Sequence, residues 1–192
     1  LIRPYISDVP TSGDLDVTTL GPLIADIMPE ESIVSDESAT SSLIVTPHAL
    51  QAKPHDWLAL TGGSIGQGLP LAIGASIAKP DRPVITLHGD GGAMYTVQAL
   101  WTQARENLNI TNIIFSNRSY EILKIELDRV QAVETGERAA SMFSMDNPPI
   151  DWVNLAESMG VQGYKPKTVK EFKDVFSKSV NESGPSLIEI EI

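Results

Sequence analysis

Asp90, set between glycines in Gly89-Asp-Gly-Gly92, and Asn117, 27 positions further on, both stand just past short runs of apolar and β-branched residues. One carboxylate, one amide oxygen and a nearby backbone carbonyl form a partial shell of hard oxygens. Such a shell suits Mg²⁺, whose remaining positions go to water and phosphate. Gly89, Gly91 and Gly92 let backbone approach a ligand closely and tolerate positive φ. A helix expected to start near Ala93 turns its free N–H groups and the positive end of its dipole to the same place. The chemistry these residues can do together is to hold a divalent cation and a diphosphate in one pocket.

The elements that must position this pair are legible around it. Val84–Leu87 and Asn112–Phe115 have the composition of strands buried on both faces. Between them Met94, Val97, Trp101, Ala104 and Leu108 recur at helical spacing and predict one apolar stripe. A strand–helix–strand unit of this length makes a right-handed parallel crossover. Its two strands then end at the same edge of the sheet, neighbours about 4.8 Å apart. Asp90 and Asn117 would converge at that carboxyl edge, where open α/β sheets bind ligands.

Gly-Asp-Gly with an asparagine at this interval resembles the thiamine-diphosphate motif of pyruvate decarboxylase, benzoylformate decarboxylase and acetolactate synthase. The run GDGGAMYTVQALWTQA is most similar to the benzoylformate decarboxylase and acetolactate synthase branch. The likeness extends from about Glu30 to the C-terminus. By this resemblance Asp90, Asn117 and the Ser119 carbonyl would be metal ligands. Gly89, Gly91, Gly92, Ala93, Asn117 and Tyr120 would lie along the cofactor, with Thr40 as a phosphate-contacting hydroxyl. Ala39 departs from the hydroxyl that precedes that position in the pattern, so one contact would be missing or replaced. In Leu60-Thr-Gly-Gly-Ser-Ile-Gly-Gln-Gly-Leu-Pro70, the resemblance assigns the Gly63 carbonyl to the aminopyrimidine and Ile65 to the apolar wedge under the bent cofactor. On its own pattern, without the Asp90–Asn117 motif, Ile65 reads as a core residue at a helix start. Leu123 stands where pyruvate decarboxylase carries a carboxylate, which shifts the expectation away from plain pyruvate decarboxylation.

Bulk properties narrow the field. The formal net charge of −11 argues against nucleic acid or anionic membrane as a partner. With no cysteine among 192 residues, disulfides, thiolate metal sites and Cys nucleophiles drop out, which is compatible with a cytoplasmic protein. No apolar run reaches the roughly 18 residues of a membrane span. Neither G-x-x-x-x-G-K-[ST] nor G-x-G-x-x-G occurs, which disfavours a nucleotide-binding module without excluding a stand-alone diphosphate-binding one.

Elsewhere the chain reads as follows. Residues 1–14 suggest an arm from a preceding domain, and 15–192 a single cofactor domain. A helix is expected over Leu15–Met28, with Asp14 as candidate N-cap and Pro22 as an irregularity. Ser32–Ser35 reads as a strand, and the hydroxyl-rich 36–42 turn as either a helix cap or a phosphate cradle. The stretch 47–57, flanked by His48 and His55, shows no period; neither histidine has metal-ligand spacing. His88, at the end of the buried strand, could touch the phosphate region but reads rather as structural. Arg118 could reach phosphate or solvent. Residues 132–149 read as a loop, with Met142, Phe143 and Met145 either lining a cavity or packing beneath it. A helix through Trp152 and Met159, a strand at Val161–Tyr164, a Thr168–Glu171 capping box with its helix, and a strand at Ser186–Ile192 complete the chain.

The fold class expected is a doubly wound α/β domain with a mainly parallel six-stranded sheet and helices on both faces. The resemblance implies the C-terminal, diphosphate-binding domain of a thiamine-diphosphate-dependent 2-oxo acid decarboxylase or carboligase. The activity expected is acetolactate synthase-like, with a benzoylformate decarboxylase-like enzyme as the alternative. It implies Mg²⁺, a pyrimidine-binding domain supplying the activating glutamate across a subunit interface, and a homodimer or homotetramer. FAD would enter only through a further domain. The 192 residues assayed by themselves are not expected to turn over.

Overall fold

The computed structural model describes residues 8–130 and 136–192. Six strands form one sheet: β1 (Ile33–Glu37), β2 (Asp56–Ala59), β3 (Val84–Gly89), β4 (Ile110–Ser116), β5 (Gln162–Tyr164) and β6 (Ser186–Glu191). Their order across the sheet is β2-β1-β3-β4-β6-β5, and every pairing is parallel. The helices are α1 (Val17–Ile27), α2 (Ser42–Ala49), α3 (Gly68–Ala78), α4 (Asp90–Ala93), α5 (Ala99–Arg105), α6 (Glu121–Arg129), α7 (Glu137–Ser141), α8 (Trp152–Ser158) and α9 (Val169–Asn181).

β3 and β4 are buried almost throughout because helices cover both faces of the sheet. Successive residues therefore serve opposite cores. Ile113 and Phe115 pack with Leu20 and Leu23 of α1 and with Phe172 and Phe176 of α9. Ile114 packs on the other side with Leu69 of α3, Leu100 of α5 and Trp152 of α8. One polar cluster interrupts this apolar filling. Asn112 exchanges two hydrogen bonds with Gln103 of α5, at 2.8 and 3.2 Å, and accepts a third from Thr86 at 3.0 Å. Fully satisfied, it costs little and fixes α5 against the sheet. The Thr168–Glu171 capping box starts α9 as the sequence predicts.

The chain leaves β1 in one direction to form β2, then crosses to β3 on the other side. Neighbouring strands that send their connections opposite ways open a crevice at their carboxyl ends. The site sits there.

Several sequence expectations are corrected. The first helix is capped by Asp16, not Asp14; Asp16 Oδ1 accepts from the N–H groups of Thr18 and Thr19 at 2.8 and 3.0 Å. Asp14 and its neighbours pair instead with residues 167–169, and Val9 packs on the core. The aperiodic stretch 47–57 hides the end of α2 and the start of β2, an edge strand too short and too exposed to alternate clearly. The helix after Gly92 is not continuous. A single turn, α4, begins at Asp90; residues 94–98 are turns, and α5 starts at Ala99. The break resets the helical phase, so the inward face is Ala93, Ala99, Leu100 and Gln103, while Met94 is 39% and Trp101 53% exposed. Residues 131–135, including part of the 132–149 loop and of Thr135–Arg138, lie outside the described residues, as do residues 1–7.

Candidate functional site

A cleft of about 260 Å³ opens at the carboxyl ends of β1, β3 and β4. Its walls are the 38–41 turn after β1, Gly63 and Ile65 from the loop before α3, Gly89–Gly92 at the end of β3 and beyond it, and Asn117 and Ser119–Ile122 after β4, with Phe115 beneath. Residues far apart in sequence meet here because three parallel strands end together.

Asp90 is buried, and each of its carboxylate oxygens takes one backbone donor. Oδ1 accepts from Gly91 N–H at 2.8 Å and Oδ2 from Arg118 N–H at 2.7 Å. The second bond ties the β3 turn to the residue that follows Asn117, so the carboxylate and the amide share one cleft. Among the described residues no basic side chain pairs with Asp90. Burial pushes its carboxyl above the ordinary aspartate value, against the opposing pull of the Arg118 and Gly91 N–H groups. A buried carboxylate with spare lone pairs and no counter-charge fits a cation. Asn117 Oδ1 accepts from Ser119 N–H at 2.9 Å and keeps a second acceptor position. Among the described residues no group of three or more His, Cys, Asp or Glu is placed to hold a metal ion.

The glycines work through close approach. A Cβ on Gly91 would lie 2.7 Å from the Cδ1–Cε1 edge of the Tyr120 ring, which packs against the turn. Gly89, Gly91 and Gly92 all keep negative φ, so their tolerance of positive φ is unused. Ala93 is corrected outright. Because the helical turn begins at Asp90, Ala93 comes one turn later and is fully buried in the core, away from the cleft. Likewise α4 is a single turn, and Gly91 N–H is already spent on Asp90.

The hydroxyl turn is not a side-chain cap for α2: neither Ser38 nor Ser41 makes a capping bond. Ser38 Oγ donates to Asp36 at 2.6 Å and Ser42 Oγ to the Ala39 carbonyl at 2.6 Å. The Thr40 hydroxyl, on the cleft wall, has no protein partner among the described residues. Ala39 adopts φ 51°, a left-handed conformation that costs an L-residue about 1–2 kcal/mol. Ala39→Gly is therefore expected to stabilise the chain by about 0.5–1 kcal/mol after the added flexibility of the unfolded glycine is deducted. Urea denaturation measures this, and an unchanged midpoint would mean the turn carries no strain.

Ile65 stands 44% exposed on the cleft wall, not in the core. Gly63 has φ 68°, and its carbonyl accepts from Ile65 N–H at 2.8 Å across Ser64, whose φ −73° and ψ 75° are those of an inverse γ-turn. Arg118 resolves toward the surface, pairing with Asp146 at 3.0 Å and with Glu191, and does not enter the cleft. Phe143 and Met145 pair by backbone with Tyr120 and Arg118 at 2.9 and 2.8 Å, so they pack over the 118–120 turn, while Met142 is exposed. His48 rests against Gly21 and His55 against Trp57, both remote from the cleft.

Sequence reasoning missed Glu37. It ends β1 almost wholly buried, accepts from the N–H groups of Gly66 and of Gly68 (2.6 Å), and lies 3.2 Å from Nε2 of the buried His88. A glutamate amid Ser, Asp and Thr looks like a solvated turn residue, and only its register beside His88 in β3 betrays its burial.

Known proteins bear on this geometry. Residues 39–190 match the family model described as the thiamine pyrophosphate enzyme, C-terminal TPP binding domain. The chain is 44% identical over 180 residues to the Mycobacterium tuberculosis H37Rv protein named "Putative acetolactate synthase large subunit IlvX", covering 93% of this chain and 35% of that one. It is 27% identical over 178 residues to Pseudomonas aeruginosa benzoylformate decarboxylase, covering 93% and 32%. Its fold superposes on the thiamine diphosphate-dependent 4-hydroxybenzoylformate decarboxylase of Rhodococcus jostii RHA1 with a TM-score of 0.82 at 30% identity, covering 98% of this chain and 34% of that chain. The chain thus spans about a third of the length of each of these relatives. On its sequence, its sheet order and the cleft at its switch point, this chain belongs to the C-terminal TPP-binding domain family of thiamine pyrophosphate enzymes.

Proposed function

We propose that the cleft binds thiamine diphosphate through Mg²⁺, with the Asp90 and Asn117 side-chain oxygens and the Ser119 carbonyl as the protein's metal ligands. The observation that carries this is the joining of Asp90 to the Asn117–Ser119 turn through Arg118 N–H, opposite the Thr40 hydroxyl, which has no partner among the described residues. Thr40 and the Gly91–Gly92 turn, flanked by Gly89, face the diphosphate, and the Tyr120 ring lies along it. The Gly63 carbonyl, with one lone pair left by its γ-turn, would accept from the aminopyrimidine, and Ile65 would be its apolar support. When bound, thiamine diphosphate supplies a nucleophilic, carbanion-stabilising ring, and the protein contributes position and electrostatics. Phe115 and the Tyr120 ring keep water from the floor of the cleft, and Asp90 stays ionised once a cation offsets its burial.

The whole protein is proposed to act on a small 2-oxo acid as an acetolactate synthase-like decarboxylase or carboligase, a reading supported by the 44% identity above. A benzoylformate decarboxylase-like activity is the second reading, favoured by the superposition on the Rhodococcus enzyme and by apolar Ile122 at the cleft. A pyrimidine-binding domain is the proposed partner. Helix α6 has no buried residue and presents Ile122, Leu123, Ile125 and the following Val130 to the exterior, an apolar surface of the kind that partners cover.

Titration calorimetry with thiamine diphosphate, ATP and NAD, each with and without Mg²⁺, tests the cofactor assignment. Binding of thiamine diphosphate that requires Mg²⁺, with neither nucleotide bound, is the expected result. Equal binding of ATP would replace the proposal with a nucleotide-binding module. Product analysis on the full-length enzyme with pyruvate and with benzoylformate separates the two activities.

A further inference from the structure

Glu37 joins the two walls of the cleft. Its carboxylate starts from the end of β1, beside the phosphate-side turn, and reaches the loop before α3. There it receives the N–H groups of both Gly66 and Gly68. The next peptide is held as well, because the Gly66 carbonyl accepts from the Thr96 hydroxyl at 2.7 Å. Space around this junction is tight: a Cβ on Gly68 would fall 2.5 Å from His88 Nε2, and one on Gly66 2.7 Å from Tyr95 Cβ. Burial pushes the Glu37 carboxyl up, but the His88 contact and the two backbone donors outweigh it, so it sits below the ordinary glutamate value. Two residues before Gly66 runs the γ-turn that aims the Gly63 carbonyl and lifts Ile65 into the cleft. Fixing residues 66 and 68 fixes that turn, since only Ser64 and Ile65 intervene.

We propose that Glu37 is a positioning residue for the pyrimidine half of the cofactor: it holds the Gly66–Gly68 backbone, and through it Gly63 and Ile65, and takes no part in gripping the metal or the diphosphate. This rests on the cofactor assignment above. Glutamine in its place is nearly isosteric, yet it offers one acceptor oxygen where two N–H groups need acceptors, and it turns a donor toward one of them.

The test separates the halves of the ligand. Affinities for thiamine diphosphate and for inorganic pyrophosphate, both with Mg²⁺, are measured by calorimetry on the parent chain, Glu37→Gln and Thr96→Val. Glu37→Gln is expected to weaken thiamine diphosphate at least about tenfold while pyrophosphate changes by less than about twofold. Thr96→Val, at a half-buried position outside the core, is expected to show the same selectivity with a smaller loss. It decides the matter alone if Glu37→Gln fails to fold by circular dichroism. Equal losses for both ligands, or none for thiamine diphosphate, would overturn the positioning role. So would a parent chain that binds thiamine diphosphate no more tightly than pyrophosphate, although the diphosphate site would then stand. Failure of the parent chain to bind either probe would instead sink the cofactor assignment, and this inference with it.

Discussion

Replacing Asp90 with alanine is expected to abolish Mg²⁺-dependent binding of thiamine diphosphate, with a loss of about a hundredfold or more. Mg²⁺ is held by few protein ligands and is therefore sensitive to each one, and Asp90 is the single carboxylate of the proposed shell. Calorimetry in the presence and absence of Mg²⁺ measures the loss; an Asp90→Ala chain whose affinity still rises with Mg²⁺ would remove Asp90 from the metal site. The same carboxylate sets a pH dependence. Burial raises its folded-state value above the unfolded one, so in the metal-free chain Asp90 contributes stability below the unfolded value, and this is lost as pH rises through the raised folded value. Binding runs the other way, since cation and proton compete. Mg²⁺ affinity should fall on acidification, beginning at a higher pH than an ordinary aspartate would give. A titration in which Mg²⁺ affinity is flat down to the usual aspartate range would contradict a buried carboxylate without a basic partner.

Phe115→Ala is expected to be the most damaging single change to the scaffold near the site. The ring is fully buried, closes β4 in register with Gly89 of β3 and Ile190 of β6, and forms the floor of the cleft. Truncating a buried phenylalanine costs about 3–5 kcal/mol, which for a chain of this size lowers the melting temperature by roughly 10 °C. Leu123→Ala, on the exposed face of α6, is the matched control and should shift stability by less than about 0.5 kcal/mol. Differential scanning calorimetry reads both. Similar losses at the two positions would mean that Phe115 is not the packed floor described here.

The sequence carried much of the sheet because its central strands are buried on both faces and leave unbroken β-branched runs, as at Val84–Leu87 and Asn112–Phe115. It lost β2, a four-residue edge strand with both ends exposed and the adjacent Trp57 and Leu58 both partly buried, so no alternation shows. It merged α4 and α5 because Met94, Val97 and Trp101 keep helical spacing across a break. Periodicity records spacing and cannot record an interruption whose residues are themselves ordinary. Ala93 was misplaced by the same error, since a shift of three residues in a helix start turns a side chain from the ligand to the core.

What the sequence determined by itself was the chemistry available: an Asp and an Asn at the tips of neighbouring strands, glycines between them, and a resemblance that the family match bears out. Only the tertiary structure decided which groups face one another. It tied Asp90 to Arg118 N–H, turned the Arg118 side chain outward to Asp146 and Glu191, stood Ile65 in the open, and buried Glu37 against the Gly66 and Gly68 amides. Those outcomes depend on which strand lies beside which and in what register. They are set by the packing of the whole sheet, and no local stretch of residues encodes them.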